Sequence, residues 1–182
     1  MQFSLLYSLH MTVHVVLYEP EIPQNTGNII RTCVAAHAKL HLIEPLGFDL
    51  QNKAVKRSTC NLLDDADIVT YASFQEFISM NKGEYYFLTR YGRKPYSDFA
   101  FSDRNREIYL IFGKESTGIP YEILRDHLAR CLRIPMYPSV RSLNLGNSVS
   151  IVLYEVMRQQ GFPSLSCCEV QKGEDFLESF DM

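Results

Sequence analysis

The sequence predicts an α/β fold: a parallel sheet with helices on both faces. Three observations carry this. Short apolar, β-branched runs such as Val13–Tyr18 (VHVVLY) and Ile108–Phe112 (IYLIF) recur along the chain and read as strands buried on both sides. Segments with helix start and stop signals separate them, which is the alternation a parallel sheet requires. Three loops that follow strands (residues 19–28, 113–120 and 135–147) are rich in Gly, Asn, Ser and Pro. Ligands of such sheets sit beyond the carboxyl ends of the strands.

Taken in order, the first strand covers residues 13–18 and stops before Pro20. Asn25 or Thr26 is placed to cap a helix that runs to about His37. Residues 39–44 form a second strand, and residues 50–59 a polar helix. Residues 67–71 form a short strand. Ser73 then caps a helix, with Glu76 three positions on as a capping box. Residues 85–89 and 108–112 are further buried strands. Pro120 opens a helix at its first turn. Residues 131–134 form the last strand, stopped by Pro135. The last long helix spans about residues 144–160 and ends at Gly161 and Pro163.

The 182 residues suffice for one domain with a sizeable core, expected over residues 11–163. Residues 1–10 (MQFSLLYSLH) are apolar without the basic start or cleavage site of a signal peptide, and read as an extension or alternative start. Residues 164–182 form a polar, acidic tail, expected to be loosely held. No apolar run approaches the roughly 20 residues that span a bilayer. The five cysteines (Cys33, Cys60, Cys131, Cys167, Cys168) form no C-x-x-C pair, and scattered reduced thiols suit the cytoplasm. A net charge of −3 argues against a strongly basic RNA-coating protein, yet local patches set the field at a site.

Several chemistries lack their motifs. No G-x-G-x-x-G follows the first strand, so the dinucleotide fingerprint is missing. Residues 113–118 (GKESTG) have a P-loop flavour but lack the Lys-Ser/Thr pair that phosphate and Mg²⁺ require. There is no H-E-x-x-H and no G-x-S-x-G. Among the histidines only His37 and His41 stand at i, i+4, and that pair straddles a predicted helix end and strand start.

The three loops are richer than turns require. In the first, Pro20 and Pro23 stiffen the loop and Asn25, Thr26 and Gly27 start the helix, but Asn28 and Arg31 remain unexplained, one turn apart. A helix N-terminus with an Arg beside it suits a phosphate or ribose. In the second, Gly113 permits close approach to the backbone, and Glu115 could accept hydrogen bonds from the neighbouring loops. In the third, Ser139, Ser142, Asn144 and Asn147 are more small polar side chains than one helix cap uses.

Together the segments Glu19 to Arg31 (EPEIPQNTGNIIR), Leu40 to Phe48 (LHLIEPLGF), Phe112 to Pro120 (FGKESTGIP) and Arg141 to Asn147 (RSLNLGN) resemble the SPOUT methyltransferases. They are most similar to the tRNA wobble-position (cytidine/uridine) 2′-O-methyltransferases, over about residues 13–161. The resemblance implies a deep C-terminal trefoil knot, against the usual rule that chains do not thread loops. It implies S-adenosylmethionine as cofactor, no metal, a homodimer joined through the knot region, no membrane, and the tRNA anticodon stem-loop as partner. Carried over by position, Leu88, Gly113, Glu115, Ile134, Met136, Ser142 and Leu143 form the cofactor pocket. One segment departs: relatives carry an A-G-L-D-Y-like run after Lys-Arg, where this chain has Ser58-Thr-Cys-Asn-Leu62.

Such a reaction is an in-line displacement, in which the ribose 2′-oxygen attacks a methyl carbon held about 3 Å away. Arg31 is the residue the resemblance implies at this point. A guanidinium keeps its proton, so orienting the phosphate or stabilising a developing alkoxide suits it better than acting as base. Asn25 would orient the ribose or Arg31, and Ser142 and Asn144 would complete the pocket floor. RNA contacts are expected from Lys53, Lys56 and Arg57, from Arg90, Arg93 and Lys94, and from Arg141. Tyr91 or Tyr137 would stack on an unpaired base. Two other readings stand beside this one: a SPOUT enzyme for another tRNA or rRNA site, and a non-catalytic RNA-binding module on the same scaffold.

Overall fold

The computed structural model describes residues 12–179; the anticipated extension over residues 1–10 lies outside them. The elements follow in the order β1 (Val13–Tyr18), α1 (Pro23–Ala35), β2 (Lys39–Ile43), α2 (Lys53–Ser58), β3 (Ile68–Tyr71), α3 (Phe74–Met80), β4 (Glu84–Leu88), β5 (Lys94–Pro95), β6 (Ile108–Phe112), α4 (Tyr121–Asp126), β7 (Cys131–Arg133) and α5 (Leu145–Gln159). The strands form a single sheet in the order β3-β2-β1-β6-β4-β7-β5, and every pairing is parallel.

The pleat sends alternate residues to opposite faces, and both faces are covered. Val13, Val15 and Leu17 of β1, Leu40 and Leu42 of β2, and Leu110 and Phe112 of β6 point to one side. There they meet Ile29, Ile30 and Cys33 of α1 and Val149, Val152, Leu153 and Val156 of α5. Val16, Ile43, Phe87 and Ile111 point to the other, against Phe74 and Phe77 of α3 and Leu124 of α4. Helices on both faces are therefore observed as expected. At the start of the expected tail, Leu165 packs against the α1 and α5 side.

The second face carries a largely buried polar chain that runs from Glu107, just before β6, through His14 and His41 to Tyr71, the last residue of β3. His14 Nε2 lies 2.6 Å from Glu107 Oε2, His14 Nδ1 lies 3.0 Å from His41 Nε2, and His41 Nδ1 lies 2.9 Å from the Tyr71 hydroxyl. With both rings neutral, one tautomer set satisfies all three. His14 donates to the carboxylate, His41 donates to His14, and Tyr71 donates to His41. Burial, then the neighbouring His14 and Lys39, pushes the His41 imidazole down to about 3.

Element boundaries differ from expectation in instructive places. α1 starts at Pro23, not after a cap at Asn25 or Thr26; Ile22 occupies the cap position and makes no side-chain bond there. Pro at the first turn is pre-organised and lacks only an N–H that would go unbonded, so no polar cap is needed. α2 begins three residues later than expected, because Asn52 caps it by accepting from the Ala54 N–H. Pro120 is the cap residue of α4 rather than its first helical residue. Ser73 caps α3 through the Glu76 N–H, but the Glu76 carboxylate returns to the N–H of Ala72, one residue short of a closed capping box. The short edge strand β5 was not foreseen; with Pro95 in it, it shows no apolar run to read.

Candidate active site

The register of the sheet gathers the site. Leu17 lies opposite Leu42 on one side and Phe112 on the other, so the loops after β1, β2 and β6 leave the same edge together. Leu88 pairs with Leu132, which brings the loops after β4 and β7 to that edge as well.

Three loops are stitched there by side chains far apart in sequence. The Glu115 carboxylate accepts from the backbone N–H of Glu21 at 2.9 Å and of Ile22 at 3.3 Å, and from Asn25 Nδ2 at 3.0 Å. Asn25 Oδ1 in turn accepts from Asn144 Nδ2 at 2.9 Å. Asn144 Oδ1 caps α5 through the Asn147 N–H at 3.3 Å. This network fixes the amide orientations of both asparagines. Beside it, the Glu21 carboxylate accepts from the N–H and hydroxyl of Ser116 at 2.9 and 2.8 Å. Those bonds from Ser116 hold the Glu21 carboxyl below the usual carboxylate range. Lys114 Nζ pairs with Glu19 at 2.5 Å.

The structure thus brings Asn25, Glu115 and Asn144 together, but their polar atoms face one another. Asn25 is only 7% exposed. Its amide is consumed within the protein, so the geometry makes these three a brace between loops.

The cofactor candidates lie at the end of β4 and on the loops that follow β6 and β7. Gly113 packs against the next turn so tightly that a Cβ would lie 2.1 Å from the carbonyl carbon of Gly118. Only glycine fits, and Gly118 itself holds a φ of +77°. Leu88 and Ile134 are half-buried against the α1 and α5 side of the core. Met136 is half-buried, while Ser142 and Leu143 are exposed. Between Met136 and Leu143 the one backbone hydrogen bond among the described residues runs from the Val140 N–H to the Tyr137 carbonyl. This stretch therefore keeps a run of uncommitted donors and acceptors, which fits a compact ligand with both polar edges and an apolar body.

Arg31 stands apart from the brace. It is exposed on α1, and its Nη1 donates to Cys60 Sγ at 3.3 Å. It pairs with no carboxylate among the described residues. Cys60 belongs to the Ser58–Leu62 segment, in the turn after α2. α1 meets α2 through Gly27, where a Cβ would lie 2.5 Å from Ser58 Cβ. Asn28 is exposed on the same helix, beside the start of α5 at Gly146.

Sequence reasoning missed Glu21, Ser116 and Cys60. Glu21 lies within the Glu19–Arg31 motif, and only its contact in space with Ser116 gives it a task. Cys60 gave no signal, since its relation to Arg31 depends on the turn after α2, where Cys60 and Asn61 both adopt positive φ. No group of three or more His, Cys, Asp or Glu side chains among the described residues is arranged to hold a metal ion. No helix among the described residues is long and apolar enough to cross a membrane.

A parallel α/β sheet whose carboxyl edge carries Arg31, a Glu-Asn-Asn brace and an uncommitted loop before α5 is the frame of a SPOUT methyltransferase. The chain belongs to the SpoU rRNA Methylase family, whose model matches residues 12–154. An Escherichia coli tRNA (cytidine(34)-2′-O)-methyltransferase is 40% identical over 153 residues, covering 83% of this chain and 96% of that protein. A crystal structure from Bacillus anthracis superposes with a TM-score of 0.82 at 46% identity, covering 87% of this chain and 99% of that one. A second solved structure, from work on the 2-OH methylation of C/U34 on tRNA, has a TM-score of 0.74 at 38% identity and covers 82% and 96%.

Proposed function

We propose that this methyltransferase moves a methyl group from S-adenosylmethionine to the ribose 2′-OH of the wobble nucleotide, C34 or U34, of tRNA. The observation that carries this reading is the likeness to the Escherichia coli enzyme over nearly its whole length. S-adenosylmethionine binding is supported by a related structure, 25% identical, in complex with AdoMet.

When bound, the cofactor supplies an electrophilic methyl group on a sulfonium whose departure leaves a neutral thioether. Everything else falls to the chain. Leu88, Ile134 and Met136 offer apolar walls. The backbone of Met136 to Leu143, with the Ser142 hydroxyl, offers hydrogen bonds to polar edges. Gly113 lets the ligand approach the backbone. Arg31 orients the ribose phosphate and stabilises charge developing on the 2′-oxygen. Asn25, Glu115 and Asn144 hold the three loops in register, so that attacking and leaving atoms stay in line.

The anticodon stem-loop is the partner in this reading, and a second copy of the chain completes a dimer through the knot region in the cytoplasm. A second reading rests on the description of the family itself, which names rRNA. One experiment separates them: tRNA and ribosomal RNA are each incubated with the protein and labelled S-adenosylmethionine, and nucleosides are located by mass spectrometry. Label at the ribose of position 34 is expected. Label confined to ribosomal RNA, or to another tRNA position, would overturn the proposal.

A further inference from the structure

Tyr121, at a helix start beside the site, is 65% exposed, and Tyr91 is 48% exposed. They are not scattered. Their hydroxyls lie 3.1 Å apart and their rings meet edge to face, with centroids 5.6 Å apart at 82°. Arg90 completes the group: its guanidinium lies 4.9 Å from the Tyr91 ring centroid and donates to the Tyr91 hydroxyl at 3.0 Å.

The position is specific. Tyr91 stands three residues beyond Leu88, at the end of β4, and Tyr121 directly follows the loop that begins at Gly113. β4 and β6 are neighbours, so the pair closes the gap between two loops expected to line the cofactor pocket. The turn that carries Tyr91 is rigid. Gly92 is buried against β7, where a Cβ would lie 2.6 Å from the Leu132 carbonyl carbon, and the Thr89 N–H donates to Leu132. Arg93 and Lys94 follow, both exposed. Neither these nor Arg90 pairs with a carboxylate among the described residues.

Two exposed rings held nearly perpendicular, with a guanidinium and two further cations beside them, match what single-stranded RNA requires. The rings offer flat faces to unstacked bases, and the cations neutralise the adjoining phosphates. We infer that Arg90, Tyr91 and Tyr121 form a platform on which an unpaired base of the RNA substrate stacks while a neighbouring ribose enters the site. This rests on the reading of an RNA 2′-O-methyltransferase and specifies where that substrate lies.

The test compares Tyr121→Ala and Tyr121→Phe with the unaltered protein. Binding is measured by fluorescence anisotropy to an anticodon stem-loop and to the same strand closed in a full duplex, and S-adenosylmethionine binding is followed by calorimetry. Loss of a stacked base predicts that Tyr121→Ala binds the stem-loop about tenfold more weakly, binds the duplex as before, and keeps its cofactor affinity. Tyr121→Phe keeps the ring and loses the hydroxyl bridge, so it should bind the stem-loop nearly as the unaltered protein does. If both variants lose cofactor and RNA together, the pair is only a clamp between loops and the inference fails. If Tyr121→Ala binds the stem-loop normally, it also fails. Failure of the functional reading is seen separately, in the unaltered protein, as an absence of methyl transfer to tRNA.

Discussion

Asn144 donates through Nδ2 to Asn25 Oδ1 at 2.9 Å, joining two residues 119 positions apart at the point where α1 and α5 begin. Through Asn25 the bond continues to Glu115, so one carboxylate orders the start of α1 and the cap of α5. Replacing Glu115 by Ala leaves the Glu21 and Ile22 N–H groups and the Asn25 amide without an acceptor. We expect a loss of about 1–3 kcal/mol in stability and a fall in methyl transfer of about 10²-fold, because small misplacements of aligned groups are costly. Urea denaturation and single-turnover kinetics check the two parts. A variant with normal turnover would show that the brace does not position the reacting groups.

Arg31→Ala should remove methyl transfer by about 10²- to 10³-fold, the range for losing one charge-stabilising donor. Cofactor affinity should stay near that of the unaltered protein, since Arg31 faces Cys60 rather than the loop from Met136 to Leu143. Arg31→Lys keeps the charge but not the forked donors and should recover only part of the rate. Calorimetry with S-adenosylmethionine beside a turnover assay reads both quantities, and full activity in Arg31→Ala would remove this residue from the mechanism.

Acid should weaken the fold in a defined window. The His41 imidazole is depressed to about 3 by burial, with His14 and Lys39 adding to the effect. A depressed histidine binds its proton less readily in the folded than in the unfolded chain. Its contribution is therefore whole above the ordinary histidine value and drains as pH falls from about 6.5 towards about 3. Among the described residues His14, Tyr71, Phe77 and Tyr109 surround the ring, and none of them is a carboxylate in contact with it. Urea midpoints should fall between about pH 7 and about pH 5, and His41→Phe should flatten that slope while lowering stability overall. An unchanged slope in His41→Phe would assign the acid sensitivity elsewhere.

Gly27→Ala should destabilise the contact between α1 and α2 by about 1–3 kcal/mol, the usual cost of overpacking. The added methyl would lie 2.5 Å from Ser58 Cβ and 2.9 Å from the Val55 carbonyl oxygen. Because α2 leads to Cys60, hydrogen exchange should quicken in α2 and in the turn after it. Exchange rates equal to those of the unaltered protein would mean that α2 is not docked through Gly27.

The sheet was readable because each central strand is a continuous apolar run, and β1 and β6 coincide with their expected bounds. Helix starts were less so, since Asn25 has the composition of a cap yet is buried with its amide turned towards Glu115. The reception of hydrogen bonds by Glu115 was foreseen from its place in a loop. The pairing of Asn25 with Asn144 was not, because a contact across 119 residues leaves no local pattern. Tyr121 was overlooked for the same reason: beside a proline at a helix start it reads as an ordinary surface residue until Tyr91 is seen against it. The contact of Cys60, in the Ser58–Leu62 segment, with Arg31 could be seen only in three dimensions.

The brace also dates the site within the life of the chain. Its partners lie 90 and 119 residues apart, so no fragment lacking α5 can assemble it, however well β1 and α1 have formed. Contacts of such separation form late, after local elements have settled. A polypeptide still emerging from the ribosome therefore presents Arg31 long before the brace can close, since the last partner, Asn144, is made 119 residues after Asn25.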